Sequence, residues 1–385
     1  VICFLFLIFK AQQGKIALEF SKEFVMQDNA MSKWLSPLMA FCLSFIIIAT
    51  LAPVTGIQIE RQLDFWLLWL GTMLILALPL CYLEIALAKR SKITAVQALS
   101  SLTRDADASP KWRIVGWLAV VFIPFLAGAM LSAASQYVAI FTANGFAYSI
   151  ILAVLAVIAF ALSFVPRQFL VILTAIGVIA AVVLANVMGT ALPEWKMTTL
   201  EFSEWGNATV LALVASGLGM GLYWQSSLPA VKQQEIASKT VFPIWIAQLL
   251  AVIAFAFFAA KTQVPALALV VGLVAASALL IQMAREQLQQ RQLAVVVQWA
   301  ILLVAVFVWA LSTVVPVFNI ALLVWGLIIC LIYAIFAGWI MKISHLRKSM
   351  NFSHEAFYNI WRIAVRIVVP LSIILALVAV IGQLF

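Results

Sequence analysis

The chain has 385 residues, of which 66% are hydrophobic and only 10% charged, whereas an ordinary soluble domain is about half hydrophobic. A soluble fold of this size has too little interior to hide so much apolar surface, which excludes a soluble enzyme, a disordered protein and a nucleic-acid reader. The net charge of +9 therefore calls for no acidic partner, because its distribution along a polytopic membrane protein accounts for it. Cys3, Cys42, Cys81 and Cys330 stand in apolar stretches without paired spacing, and read as small buried hydrophobes, not as a disulfide framework or metal site. The two histidines, His345 and His354, share one polar loop. Neither a metal nor an organic cofactor is expected.

Residues 1–30 are set apart as a leader. Val1–Phe9 is apolar but shorter than the ~20 residues a crossing helix needs, and Lys10–Asn29 is mixed polar. No basic segment precedes the apolar core, as a signal peptide would require. Met31-Ser-Lys-Trp34 looks like a start directly before the first span, which puts the single transmembrane domain at 31–385. Eleven spans are predicted, at 34–53, 65–88, 113–140, 148–164, 168–190, 207–226, 241–261, 264–284, 292–315, 317–341 and 359–384. Pro166 and Pro316 mark tight turns, where a helix ends without losing an internal hydrogen bond. With the N-terminus inside and strict alternation, twenty of the 23 Lys and Arg fall on the inner side, leaving only Arg61, Lys196 and Lys261 outside. One omitted or invented span would scramble that asymmetry. The expected class is an all-α polytopic membrane protein with eleven transmembrane helices, N-in and C-out.

Ionisable groups inside the bilayer are the usual mark of function, and the spans hold almost none. Glu84, in Leu78-Pro-Leu-Cys-Tyr-Leu-Glu84, is the exception; it either serves a buried site or snorkels toward Lys89 and Arg90. Proton pumps, voltage sensors and intramembrane hydrolases are disfavoured, because there is no chain of acids, no arginine ladder and no His or Asp beside a Ser. The sixth span contains Ala215-Ser-Gly-Leu-Gly-Met-Gly221. Glycines at alternate positions line no single helical face, so they favour a local break. In transporters such breaks expose backbone groups that bind solute or ion; close helix packing or a plain kink is the other explanation.

These patterns together resemble the neurotransmitter:sodium symporters, especially the shorter bacterial members with the LeuT fold. Leu78-Pro-Leu-x-x-Leu-Glu84-x-Ala-Leu-Ala resembles the family's Ile-Pro-Leu-x-x-Leu-Glu segment, and Trp112-Arg-Ile-Val-Gly116 its Trp-x-x-Ile-Gly. Trp205 and Gly217-Leu-Gly-Met-Gly221 resemble its sixth span, and Gly338-Trp339 and Trp361-x-x-x-x-Arg366-x-x-x-Pro370 its last two. The resemblance runs in order from about residue 34 to 385. It implies two inverted five-helix repeats, spans 1–5 at about 34–190 and spans 6–10 at about 207–341, with span 11 at about 359–384. By the same resemblance Glu84 supports the unwound sixth helix. Ser216, Gly217, Gly219 and Gly221 would hold a solute's polar end, and Val214, Met130 and Met220 would line its apolar pocket.

The departures point one way. Phe45-Ile-Ile-Ile-Ala-Thr-Leu-Ala-Pro53 stands where the family unwinds its first span, so three isoleucines replace the flexible stretch, and the sodium-binding Asn and gating Arg are absent. The gate's acidic partner is missing as well, since 317–341 contains no Asp or Glu. Val274 and Ala275 replace two hydroxyl ligands of a sodium site, Met130 stands for a substrate-contacting Tyr, and the outer loop after the seventh span is reduced to a few residues. The resemblance thus implies a secondary transporter of a small, amino-acid-like solute without the family's usual sodium sites. The alternative is a transport-silent scaffold or accessory subunit. A polar midplane cavity would favour the first, for which Thr50, Ser216, Trp224, Gln225 and Gln248 are the candidates, and a filled one the second. The expected surroundings are the lipid bilayer of a bacterial inner membrane, a small-molecule solute and no nucleic acid, with a homodimer or another membrane partner as further possibilities.

Overall fold

The computed structural model describes residues 34–55, 62–143, 145–191, 193–231, 236–258, 263–352 and 354–383. The leader at 1–30 and the shortened outer loop at 259–262 lie outside the described residues. Long helices dominate: α1 (Trp34–Leu51), α2 (Leu63–Ser91), α4 (Pro110–Phe141), α5 (Tyr148–Leu162) and α6 (Arg167–Met188) form the first half. Between them α3 (Ala95–Asp105) is a short amphipathic helix at the basic end of the molecule. The second half begins with a helix in two pieces, α7 (Phe202–Val210, extended by one widened turn Leu211–Ala215) and α8 (Leu222–Val231). It continues through α9 (Ser238–Phe255), α10 (Gln263–Gln290), α11 (Val295–Phe307) and α12 (Val315–Ile335), then the short α13 (Ile343–Met350) and the last long helix, α14 (Glu355–Gly382). Among the described residues eight helices are long and apolar enough to cross a membrane, while α5 and the α11 segment are shorter apolar helices. Among the described residues there is no strand, only an isolated bridge between Gln62 and Lys196.

The surface supports this arrangement. Large apolar side chains such as Ile172, Ile176, Ile179 and Val183 point outward from α6, at the 3–4 residue spacing of one helical face. A water-facing helix would carry polar groups there. Where helices cross most closely, small residues let their backbones approach. A Cβ on Gly177 of α6 would lie 2.5 Å from the Gly272 nitrogen of α10, and one on Gly272 would lie 2.8 Å from Ile46 Cδ1 of α1.

Four helices widen by one i→i+5 turn, at Met73–Ala77, Leu211–Ala215, Phe336–Ile340 and Ala364–Val368. Such a turn breaks the regular hydrogen-bond ladder, and side chains from other helices take up carbonyls of these turns. Trp245 Nε1 donates to Met73 O at 2.9 Å and Trp339 Nε1 to Arg366 O at 3.0 Å, while Arg366 Nε donates to Gly338 O. Trp361 Nε1 reaches Pro79 O at 3.0 Å, so the tryptophans and arginine of the last two spans clamp α14 against α2 and α12.

Salt bridges gather at the basic end. Arg90 meets Asp105 at 2.8 Å and Lys342 meets Asp107 at 2.6 Å. The Lys342 ammonium holds the Asp107 carboxyl below the ordinary carboxylate range. A depressed carboxyl stabilises at neutral pH and loses that contribution as pH falls through its lowered value. Both groups are exposed, so salt screens the pair.

Candidate functional site

The break between α7 and α8 follows from its glycines. Gly217, Gly219 and Gly221 have φ of +72°, +78° and +75°, a left-handed conformation that costs other residues roughly 1–2 kcal/mol each. Alternating left-handed residues cannot continue a helix, so the chain from Ser216 to Gly221 runs without the regular ladder. Its polar groups are buried, and each must find a partner.

Glu84 of α2 supplies two of those partners. It is 3% exposed; its Oε1 accepts the Trp224 N–H at 3.0 Å and its Oε2 accepts the Gly219 N–H at 3.2 Å. The snorkelling geometry is therefore not the one adopted. The Ser216 carbonyl accepts from Tyr223 Oη at 2.7 Å and Gln248 Nε2 at 3.0 Å, and Leu218 O accepts from Cys330 Sγ at 3.5 Å. Ser216 Oγ points at Met73 Sδ, 3.5 Å away. Gln248 Oε1 is buried without a hydrogen-bond partner among the described residues.

The apolar side is closed around these contacts. Val214, Met130 and Ser216 are fully buried, and Met220 is 1% exposed. Val214 packs on Gly326 of α12, where an added Cβ would come within 2.7 Å of it and 3.2 Å of Phe122. Val214 thus meets α4 near Phe122, whereas Met130 lies eight residues further along that helix, about 12 Å by helical rise. The break residues, Val214 and Glu84 share one site; Met130 belongs to the same buried core at another level.

α1 is one uninterrupted helix with Ile46, Ile47 and Ile48 fully buried. Its Thr50 hydroxyl is spent on Ile46 O at 2.8 Å. On α10, Ser277 Oγ donates to Leu273 O at 2.7 Å, beside Val274 and Ala275 in the sequence. Ile46 thus fills the ground between α1 and α10 at Gly272. Among the described residues no group of three His, Cys, Asp or Glu lies together as a metal site would require.

A second network holds α8 from the basic side, and sequence reasoning missed it. Glu286 of α10 accepts from Arg167 at the start of α6 and from Gln225 Nε2 of α8 at 2.6 Å. Gln287 Nε2 donates to Gln225 Oε1 at 3.1 Å, and Trp224 Nε1 donates to Ile93 O at 2.8 Å. The inner half of the broken helix is thereby latched to α10 and to the loop before α3. Glu286→Gln removes the charge at the centre of this latch, where a hydrogen bond to a charged group is worth roughly 1.5–3 kcal/mol. With Cys330 as the sole cysteine, a bulky water-soluble maleimide applied from the basic side is expected to label it on the order of tenfold faster in this variant. An unchanged rate would mean that the latch does not limit access to the break.

No family model matches the sequence, and no match was found among curated proteins. Among solved structures the fold is similar to that of the crystal structure of MhsT in complex with L-phenylalanine. The TM-score is 0.58 at 15% identity, covering 89% of this chain and 98% of that one. MhsT has the LeuT fold. The apolar helices and this likeness make the chain a multi-pass membrane protein with a LeuT-like fold.

Proposed function

We propose that the protein is a secondary transporter of a small organic solute, amino-acid-like in that one end is polar and the rest apolar. The observation that carries this is the break at Ser216–Gly221, built from three left-handed glycines and held by a carboxyl from another helix. Exposed backbone at membrane depth is tolerated only where protein or a cavity satisfies it, and transporters put it at the solute site. The solute's polar end would displace Tyr223 and Gln248 from the Ser216 carbonyl, and its apolar part would lie toward Val214 and Met220. The likeness to MhsT, solved with L-phenylalanine, supports a solute of that class. We read the chain as eleven spans in two inverted repeats, N-in and C-out, with α7, the break and α8 together as the sixth, in a bacterial inner membrane.

The family's usual sodium sites are absent in this proposal. The uninterrupted α1, Ile46 packed on Gly272, and Val274 and Ala275 in place of hydroxyls support that, because sodium is bound by hard oxygen ligands and two of them are gone. Uptake of labelled apolar amino acids and amines into proteoliposomes is the test. Saturable uptake that continues when choline replaces Na⁺ is expected, and absence of uptake across the panel would overturn the transporter reading.

One observation favours the second reading, a transport-silent scaffold or accessory subunit, alone or as a homodimer. Tyr223, Gln248, Glu84 and Cys330 already occupy polar groups of the break, and Val214 and Ser216 touch no solvent. Were the fold to keep this filled state permanently, a second chain would copurify with it and no solute would bind.

A further inference from the structure

With sodium ligands lost, the nature of the coupling ion turns on what remains at membrane depth. Glu84 borders a void of about 10 Å³, lined also by Leu83, Gly219, Trp224 and Tyr333. A cavity of that size holds about one water. Tyr333 of α12 is 3% exposed, and its hydroxyl has no hydrogen-bond partner among the described residues. Glu84 and the orphaned Tyr333 phenol thus border one water-sized space, and a water in it is the link between them that the relay proposed below requires.

Among the described residues no counter-ion balances Glu84. The titratable groups facing it are Cys81 on its own helix, Tyr223 on α8, and Cys330 and Tyr333 on α12. α3, α9, α13 and α14 also pack near α2, but none brings a charge to bear on it. Only backbone N–H groups of the broken helix, those of Gly219, Trp224 and the neighbouring Tyr223, compensate its charge, so the neutral acid is the natural second state of this site.

We propose that Glu84 is the binding site of the transporter's coupling proton, with one water between its carboxyl and the Tyr333 hydroxyl as the relay. The proposal rests on the transporter reading of the break. Hydronium gives its proton to the carboxylate, leaving a carboxylic acid and a water; one O–H bond breaks and one forms. The proton goes to Oε2, whose bond to Gly219 N is the longer at 3.2 Å, while Oε1 keeps the Trp224 N–H at 3.0 Å as the acid's carbonyl. The Oε2 hydroxyl then donates through the water toward Tyr333. Gly219, at the middle of the break, loses its acceptor, while Leu218 O stays with Cys330. Protonation therefore releases the middle of the break at Gly219 in favour of α12 while Trp224 stays held, which couples proton binding to the conformation of the solute site.

Infrared difference spectra of the purified protein between alkaline and acidic buffer test the site directly. One protonated-carboxyl band is expected, lost in Glu84→Gln. In Tyr333→Phe the band is kept but its frequency moves, and its midpoint rises by about one pH unit, because a donor to the charged form is gone. Tyr333→Phe removes a single oxygen and carries the test should Glu84→Gln fail to fold. In proteoliposomes a transported solute is expected to draw protons in with it. Saturable solute uptake without proton movement, or no Glu84 band over the pH range in which the protein stays folded, would overturn the proposal while leaving the transporter reading intact. A titrating band with no uptake of any solute would overturn both.

Discussion

Replacing Glu84 by Ala is expected to lower the stability of the detergent-purified protein by roughly 2–6 kcal/mol, the cost of leaving two buried donors unsatisfied. The N–H groups of Gly219 and Trp224 lose the carboxylate that accepts from them, and the void beside it has room for about one water, too little to serve both. Glu84→Gln is expected to lose less, since its amide oxygen accepts one of the two N–H groups while its NH₂ faces the other. Thermal unfolding of wild type and both variants checks the order. Equal midpoints would mean that the break is satisfied without Glu84, and the site as described would be wrong.

The second large effect is expected at Gly219. Its φ of +78° disfavours any side chain, and a Cβ there would lie 2.9 Å from Cys330 Sγ. Gly219→Ala therefore combines roughly 1–2 kcal/mol of backbone strain with displacement of the thiol from Leu218 O. The double variant Gly219→Ala with Cys330→Ala should recover the steric part and leave the strain, and a double-mutant cycle separates the two. Gly71 is the internal control. It sits within α2, where an added Cβ meets nothing within 4 Å, so Gly71→Ala is expected to stabilise by about 0.5–1 kcal/mol. Should both glycines respond alike, the left-handed geometry of the break would not be what sets the cost.

Much of the architecture was legible because membrane helices announce themselves by length and composition. Each predicted span has a helix or, at the sixth, a broken pair. The break itself was legible from three alternate glycines, since local backbone freedom is a property of the residue. Several short patterns quoted separately in the sequence meet in space: Trp361 bonds to the Pro79 carbonyl, and Arg366 interlocks with Gly338 and Trp339. The latch was not legible. Glu286 stands just past a predicted span end, where a carboxylate is ordinary, and nothing local says that Arg167, 119 residues earlier, and Gln225 converge on it. Nor does sequence show that Tyr223 and Gln248 cap the Ser216 carbonyl, because the partner of a buried amide or hydroxyl is fixed by packing between distant helices. The widened turns were invisible for the same reason: Met73–Ala77 is uniformly apolar, and the Trp245 indole that takes its carbonyl comes from another helix.

The most direct test of the central claim is thermal stabilisation of the purified protein by an amino-acid and amine panel, once in Na⁺ and once in choline. A ligand of the folded state must raise its apparent stability. The account predicts a shift by one class of small solute, equal in the two cations. A shift that requires Na⁺ would contradict the loss of the sodium sites, and no shift by any solute would contradict transport itself.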